Sequence, residues 1–258
     1  MRRLPTFLLL FVAVALWARV GWQSWRTSGI SPVQRGFLVA AASGCFACHG
    51  TGGLKGFEDP DGRLGTVPPF TREAVLAYAR NEREIREWIL DGMPQRLRAE
   101  AAADGAAPAL LRMPAWRGIL SDRQVDDVVA YVKAVSDYER PDDPAAELGR
   151  QTAERLACFG CHGPQGRGSL PNPGSFKGYI PAWDGDDFAR LVADDAEIRE
   201  WILHGRPRRL QENPVARFFL RRQAVQMPAY GDRLSEAQLA SLVAYIRWLR
   251  APGQAPPV

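Results

Sequence analysis

This sequence is short of the side chains that usually do redox or metal chemistry. Its 258 residues include only four cysteines, three histidines and four methionines. All four cysteines fall in two short runs, Cys45-Phe46-Ala47-Cys48-His49 and Cys158-Phe159-Gly160-Cys161-His162. None is left for a structural disulfide or for a nucleophile, so both of those roles are excluded elsewhere in the chain. Acids are absent from residues 1–26, where Arg2, Arg3, Arg19 and Arg26 by themselves supply the net charge of +4. The remaining chain is formally neutral, so net charge gives nucleic-acid binding no support. A convincing alternating strand pattern is also missing. What remains is ordinary for a globular chain, with 46% hydrophobic and 24% charged residues and length enough for two domains.

Cys-x-x-Cys-His is the attachment sequence of a c-type haem. Residues three apart share one helical face, so two thiols can reach the two vinyl groups of one porphyrin. The histidine that follows is then placed beneath the ring with a nitrogen aimed at the iron. A disulfide, a redox pair or half a zinc site also uses Cys-x-x-Cys. A zinc ribbon would need its two pairs about 15–20 residues apart, whereas Cys45 and Cys158 are 113 apart. It would also leave the histidine after each pair unexplained. The chain resembles the class I cytochromes c in a tandem dihaem arrangement.

The same offset recurs elsewhere. Glu84-Ile85-Arg86-Glu87-Trp88-Ile89-Leu90 returns unchanged as Glu197-Ile198-Arg199-Glu200-Trp201-Ile202-Leu203, again 113 residues on. Past the next loop the offset becomes 114, where Val129-Ala130-Tyr131 meets Val243-Ala244-Tyr245. This is an internal duplication, and it divides the chain into residues 1–26, 31–140 and 141–253.

Each unit reads as all-α. Ser31-Pro32 and Asp143-Pro144 look like an N-cap followed by a first-turn proline, opening helices expected to run into the cysteine motifs. Asn81-x-x-Glu84 and Asp194-x-x-Glu197 resemble capping boxes, with Gly92 and Gly205 as stops. Ser121-x-x-Gln124 and Ser235-x-x-Gln238 open the last helix of each unit. Those helices place Val125, Val128, Val129 and Val132 on one face, and Leu239, Leu242, Val243 and Ile246 on the other copy's equivalent. Polar, proline-punctuated residues 137–144 read as a linker.

The N-terminal stretch from Leu4 to Trp22 is 19 residues of apolar character behind Arg2-Arg3. That length suits a bilayer span, with Trp17, Trp22 and Trp25 as an aromatic belt. An uncleaved signal-anchor is preferred to a removed signal peptide. By the positive-inside rule Arg2-Arg3 would stay in the cytoplasm and the rest would face the periplasm.

The resemblance implies a first and last helix that cross, a haem filling the core of each unit, and an axial methionine on the loop before the terminal helix. Met113-Pro114 and Met227-Pro228 occupy that place in the two copies, whereas Met93 has no twin, its counterpart being Arg206. The expected iron ligands are therefore His49 with Met113 and His162 with Met227. Cys45, Cys48, Cys158 and Cys161 are the attachment residues of two haem c groups. A proline carbonyl is implied as the partner of each ligating histidine, and Pro60/Pro173 and Pro68/Pro181 both remain open. Trp88 and Trp201 read equally as haem contacts, propionate donors or plain core. His204, which faces Asp91 in the other copy, reads as a solvated or satisfied histidine. The arginines at 206, 208, 209, 217, 221 and 222 form either a solvated loop or a docking patch for an acidic redox partner.

No side chain is assigned a catalytic role. The leading expectation is a membrane-tethered electron carrier, since an iron with both axial positions filled has no open site. Its partners would be a quinol-oxidising complex or dehydrogenase on one side and a terminal oxidase or soluble cytochrome on the other. Alternatives are a fixed subunit of a larger complex or, with less support, a dihaem peroxidase.

Overall fold

The computed structural model describes residues 4–60, 64–103 and 111–251. Arg2, Arg3 and the expected boundary at 253 lie outside the described residues. Helix α1 runs from Leu4 to Thr27, and its part Leu8–Thr27 is long and apolar enough to cross a membrane. At 1.5 Å per residue a helix of this length reaches about 36 Å. Between Leu8 and Val20 its large apolar side chains are exposed, Phe11 at 72% and Trp17 at 78%.

Two helical units follow. The first comprises α2 (Pro32–Ala42), α3 (Phe46–His49), α4 (Arg72–Tyr78), α5 (Glu82–Asp91), α6 (Gln95–Ala103) and α7 (Asp122–Val135). The second comprises α8 (Pro144–Arg155), α9 (Cys158–His162), α10 (Asp186–Leu191) and α11 (Asp195–His204), then α12 (Arg208–Glu212), α13 (Pro214–Arg222) and α14 (Glu236–Arg250). Among the described residues extended structure is limited to isolated bridges such as Glu58 with Thr66 and Pro171 with Tyr179.

The caps explain most helix limits. Ser31 and Asp143 each accept a hydrogen bond from the backbone three residues on, ahead of a first-turn proline. Full capping boxes open α7 and α14. At α5 and α11 the box is shifted by one residue. Asn81 and Asp194 cap as expected, but Glu84 and Glu197 reach back to the N–H of Arg80 and Ala193, the residues before the caps. The opening helices do not run into the cysteine motifs. Gly44 (φ 76°) and Ala157 (φ 56°) take the left-handed conformation at matching positions and break each helix, so α3 and α9 are separate turns with their own direction.

Packing repeats as closely as the sequence does. In each unit the first helix crosses the last, α2 on α7 and α8 on α14. Gly36 and Gly149 stand at these crossings, where an added Cβ would collide with the carbonyls of Asp127 and Ser241. Val125, Val128, Val129 and Val132 are buried in the first core, and Leu239, Leu242, Val243 and Ile246 in the second.

The segment read as a linker is pinned from both sides. Arg72 donates to the carbonyl oxygens of Asp137 and of Tyr138 (2.7 Å), and the buried Arg150 lies 3.5 Å from the Asp137 carboxylate. Burial pushes the Asp137 carboxyl above its ordinary range against the pull of Arg150. Ahead of the first unit, the Ser31 N–H donates to Ser169 Oγ of the second (3.0 Å).

Candidate functional site

Each cysteine motif is built on one short helix, α3 with Cys45 as its N-cap or α9, ended by a glycine of positive φ, Gly50 (φ 74°) or Gly163 (φ 73°). That turn redirects the chain so that a loop folds back over the histidine. His49 Nδ1 lies 2.8 Å from the Pro68 carbonyl oxygen. This resolves the choice between proline pairs in favour of Pro68. In the second unit Pro181 occupies the matching place and favours the charged ring. His162 Nδ1 is nevertheless buried without a hydrogen bond of acceptable geometry.

An aromatic side chain lies against each histidine ring. Phe70 is 4.7 Å from His49 and Trp183 is 4.8 Å from His162, measured between ring centroids. The two are counterparts at the 113 offset, but a phenylalanine opposite a tryptophan hides the match. Gly53 and Gly166 make the approach possible, since a side chain at either would strike that aromatic ring. Tyr131 and Tyr245 close the cage. Their hydroxyls donate to the carbonyls of Gly52 (2.9 Å) and Gln165 (3.0 Å).

Burial lowers the pKa of His49, against the Pro68 carbonyl, and pushes His162 down to about 4. Both rings are thus neutral near pH 7, the form that offers iron a lone pair. Burial raises the thiol of Cys45 and takes that of Cys158 up to about 11. They are held as thiols, the form whose S–H can add across a vinyl group to give a thioether. Among the described residues no three His, Cys, Asp or Glu side chains converge on a point.

In the second unit Cys158, Cys161, His162 and Met227 line one cavity of about 520 Å³ with apolar walls that include Trp201, Ile202, Leu242 and Ile246. The loop carrying Met227 is fixed at three points. Tyr230 N–H donates to the Ile202 carbonyl (3.0 Å), at the end of α11. Gly205, left-handed at φ 70°, allows the Met227 carbonyl to lie close. Asn172 grips Val225 with two hydrogen bonds of 2.9 and 2.8 Å. The first unit repeats the first two contacts, with Trp116 N–H on the Ile89 carbonyl (3.1 Å) and Met113 over Gly92. Met113 packs against the core of valines and Ile85. Met93, by contrast, carries no equivalent loop contact and uses its carbonyl to accept from Arg98 (2.8 Å).

This geometry fits a flat macrocycle with a central iron. The cavity is wide and apolar, a neutral imidazole lies on one wall, and a thioether is carried on a loop that lines it. A further mark is Trp201, whose Nε1 is buried with no partner. In the first unit the matching Trp88 donates to the Tyr78 carbonyl (3.1 Å), so the two tryptophans differ in what they leave free.

The family model described as cytochrome c oxidase, cbb3-type, subunit III matches residues 32–132 and 144–246, which is most of the chain and takes in both units. The chain belongs to this family. It is a class I c-type cytochrome with two tandem domains, and its cofactors are two covalently attached haem c groups. Similar curated proteins include cytochrome c oxidase subunit 2 of Alkalihalophilus pseudofirmus, 26% identical over 235 residues. The cbb3-type cytochrome c oxidase subunits FixP of Azorhizobium caulinodans and CcoP of Azospirillum brasilense are each 28% identical, over 215 and 206 residues. These alignments cover 89%, 82% and 78% of this cytochrome and 58%, 58% and 57% of the relatives, so it spans little more than half their length. A solved chain of the Kuenenia stuttgartiensis reducing HAO-like protein complex matches at 19% identity, covering 84% of this chain and 96% of that one. Its TM-score is 0.28.

Sequence reasoning missed Phe70, Trp183, Gly53, Gly166 and Asn172. The repeat offset held the signal for the two glycines and for the paired aromatic positions. Asn172 faces Asp59 in the other copy, so comparing the copies could not reveal it.

Proposed function

We propose that this cytochrome is a membrane-anchored carrier of single electrons. Domain 1 (residues 31–140) attaches one haem through Cys45 and Cys48, and domain 2 (141–253) the other through Cys158 and Cys161. His49 with Met113, and His162 with Met227, hold the two irons. When bound, each haem supplies a one-electron couple between ferric and ferrous iron. The protein's part is to set that couple and to keep other chemistry out. Thioether ligation favours the reduced state and so raises the potential. The apolar walls exclude water, and neutral imidazoles held by burial keep their lone pairs for the metal.

The observation that carries this reading is the single cavity shared by Cys158, Cys161, His162 and Met227, supported by the matching loop contacts of Met113. With a methionine in place at each iron no position is open for substrate, and no catalytic residue is assigned. Helix α1 anchors the chain in the bacterial cytoplasmic membrane, with both domains on the periplasmic side. The names of the relatives favour a terminal oxidase as partner, over a quinol-oxidising complex or a dehydrogenase.

Carbon monoxide tests the reading. The reduced wild-type protein is expected to bind only a trace. A large fast-binding fraction would instead point to a peroxidase-type enzyme with an open iron. Co-purification in mild detergent with a haem-copper oxidase is the expected outcome for the partner.

A further inference from the structure

The arginine-rich stretch of domain 2 divides into two parts. Arg208 and Arg209 are paired with Glu212 (2.7 Å) and Glu197 (2.5 Å), and Arg206 with Gln226 (2.5 Å). Arg217, Arg221 and Arg222 on α13 are exposed and enter no ion pair among the described residues. The inner face of α13 carries Ala216, Phe219 and Leu220, which line the haem cavity. Its outer face carries Phe218 (53% exposed) between those arginines, with Val215 (62% exposed) at the edge where the helix meets the cavity. The Arg222 guanidinium lies 5.2 Å from the Phe218 ring centroid. Basic and apolar groups mixed on one outward face are the composition of a helix that lies in a membrane interface.

The position of α13 relative to α1 supplies the second observation. An unbroken series of ring contacts joins them: Trp22 to Trp25 (5.1 Å), Trp25 to Phe176 (5.4 Å), Phe176 to Phe219 (5.0 Å) and Phe219 to Phe218 (5.2 Å). The end of α1 is also fastened to the same loop. Arg26 donates to the carbonyls of Ser175 and Lys177 at 3.3 Å, and Lys177 Nζ donates to the Trp25 carbonyl at 2.9 Å. Where α1 leaves the bilayer its tryptophans belong at headgroup depth, so α13 is held two ring contacts from that level. A soluble partner could meet this face only by lying flat along the membrane, whereas lipid is already there. Among the described residues α6 of domain 1 offers no such face, since it contains no aromatic residue and its Arg96 is paired with Glu84 and Glu100.

We propose that the outer face of α13 rests on the surface of an anionic phospholipid bilayer, so that the outer wall of the second haem pocket lies against the membrane. This rests on α1 being the membrane span. The test uses full-length, haem-loaded protein in nanodiscs of phosphatidylcholine with or without phosphatidylglycerol. A photocrosslinker is placed by Phe218→p-benzoylphenylalanine, and in separate proteins at Val14 on α1 and at Arg83 on α5, whose side chain is 77% exposed. Lipid adducts are expected at positions 14 and 218 and not at 83, with the yield at 218 higher when phosphatidylglycerol is present. Replacing Arg217, Arg221 and Arg222 by glutamine should lower that yield at least about fivefold, the worth of one surface cation. Adducts at 14 without adducts at 218, or protein adducts at 218, overturn the proposal. Absence of adducts at 14 overturns the membrane span itself. Hydrogen exchange of α13 in the unsubstituted protein serves as a check free of substitutions. Protection only with phosphatidylglycerol supports the proposal, and equal exchange in both nanodiscs refutes it.

Discussion

The two domains agree around the cofactor and in their helix crossings, and differ in the side chains that surround them. His49 under Phe70 and His162 under Trp183, each with a tyrosine behind and a methionine loop tied to a helix end, are one design used twice. Away from the cavity the copies use different chemistry. Domain 1 crosses its first and last helices with a bidentate Arg35–Asp127 pair at 2.9 and 2.6 Å, where domain 2 has Leu148 and Ser241. The equivalent ion pairs Glu84–Arg96 and Glu197–Arg209 have the same connectivity but different exposure, with arginine side chains 23% and 50% exposed. What differs is therefore the environment each domain faces. Domain 2 is tied to the end of α1 through Arg26, Trp25, Phe176 and Lys177.

The sharpest contrast should come from those ion pairs. Arg96→Ala strands the buried Glu84 carboxylate and should cost domain 1 about 3 kcal/mol. Arg209→Ala should cost domain 2 less than about 1 kcal/mol, because that arginine is half solvated. Hydrogen exchange of α5 and of α11 reads the two effects separately, and equal losses would break the comparison.

Substitutions at the helix crossings should erase the contrast. Gly36→Ala and Gly149→Ala each drive a Cβ into a facing carbonyl, at about 1–3 kcal/mol apiece. Similar shifts of the urea midpoint are expected from both.

Acid should weaken domain 1 through Glu84. Side-chain hydrogen bonds from Arg96 hold the Glu84 carboxyl at about 2, well below its ordinary 4.5. Its folded state thus favours the ionised form. The stabilisation is complete above pH 4.5 and is lost as pH falls through about 2. Glu84→Gln should remove this part of the pH dependence from urea titrations of the full chain.

The smallest effect belongs to domain 2. Ala157 adopts a left-handed backbone where domain 1 has Gly44. Ala157→Gly should stabilise domain 2 by roughly 0.5–1 kcal/mol, seen as greater protection of α8 and α9, while Gly44→Ala should destabilise domain 1.

Much of this architecture was legible in the sequence because it depends on local signals. Caps such as Ser121 with Gln124 act within four residues, and the repeat exposed the paired methionines. What escaped depends on where the chain turns in space. Pro60 and Pro68 are equivalent in one dimension, and it is the positive-φ turn at Gly50 that lets the chain fold back with Pro68 over His49. Gly36 reads as a poor helix former until α7 lies against it. The break between α2 and α3 turns on the backbone of Gly44, which an apolar run through Ala40 to Ala42 conceals. The pairing of Arg209 was hidden because its acid, Glu197, lies on another helix.

The central claim is that each duplicated methionine ligates the iron of its own domain. Near-infrared magnetic circular dichroism of the oxidised full chain reads methionine-to-iron ligation directly. The wild type should show it for both haems. Met113→Leu and Met227→Leu should each abolish it for one haem, and the double variant for both. Finding both signatures intact in Met113→Leu would contradict the account.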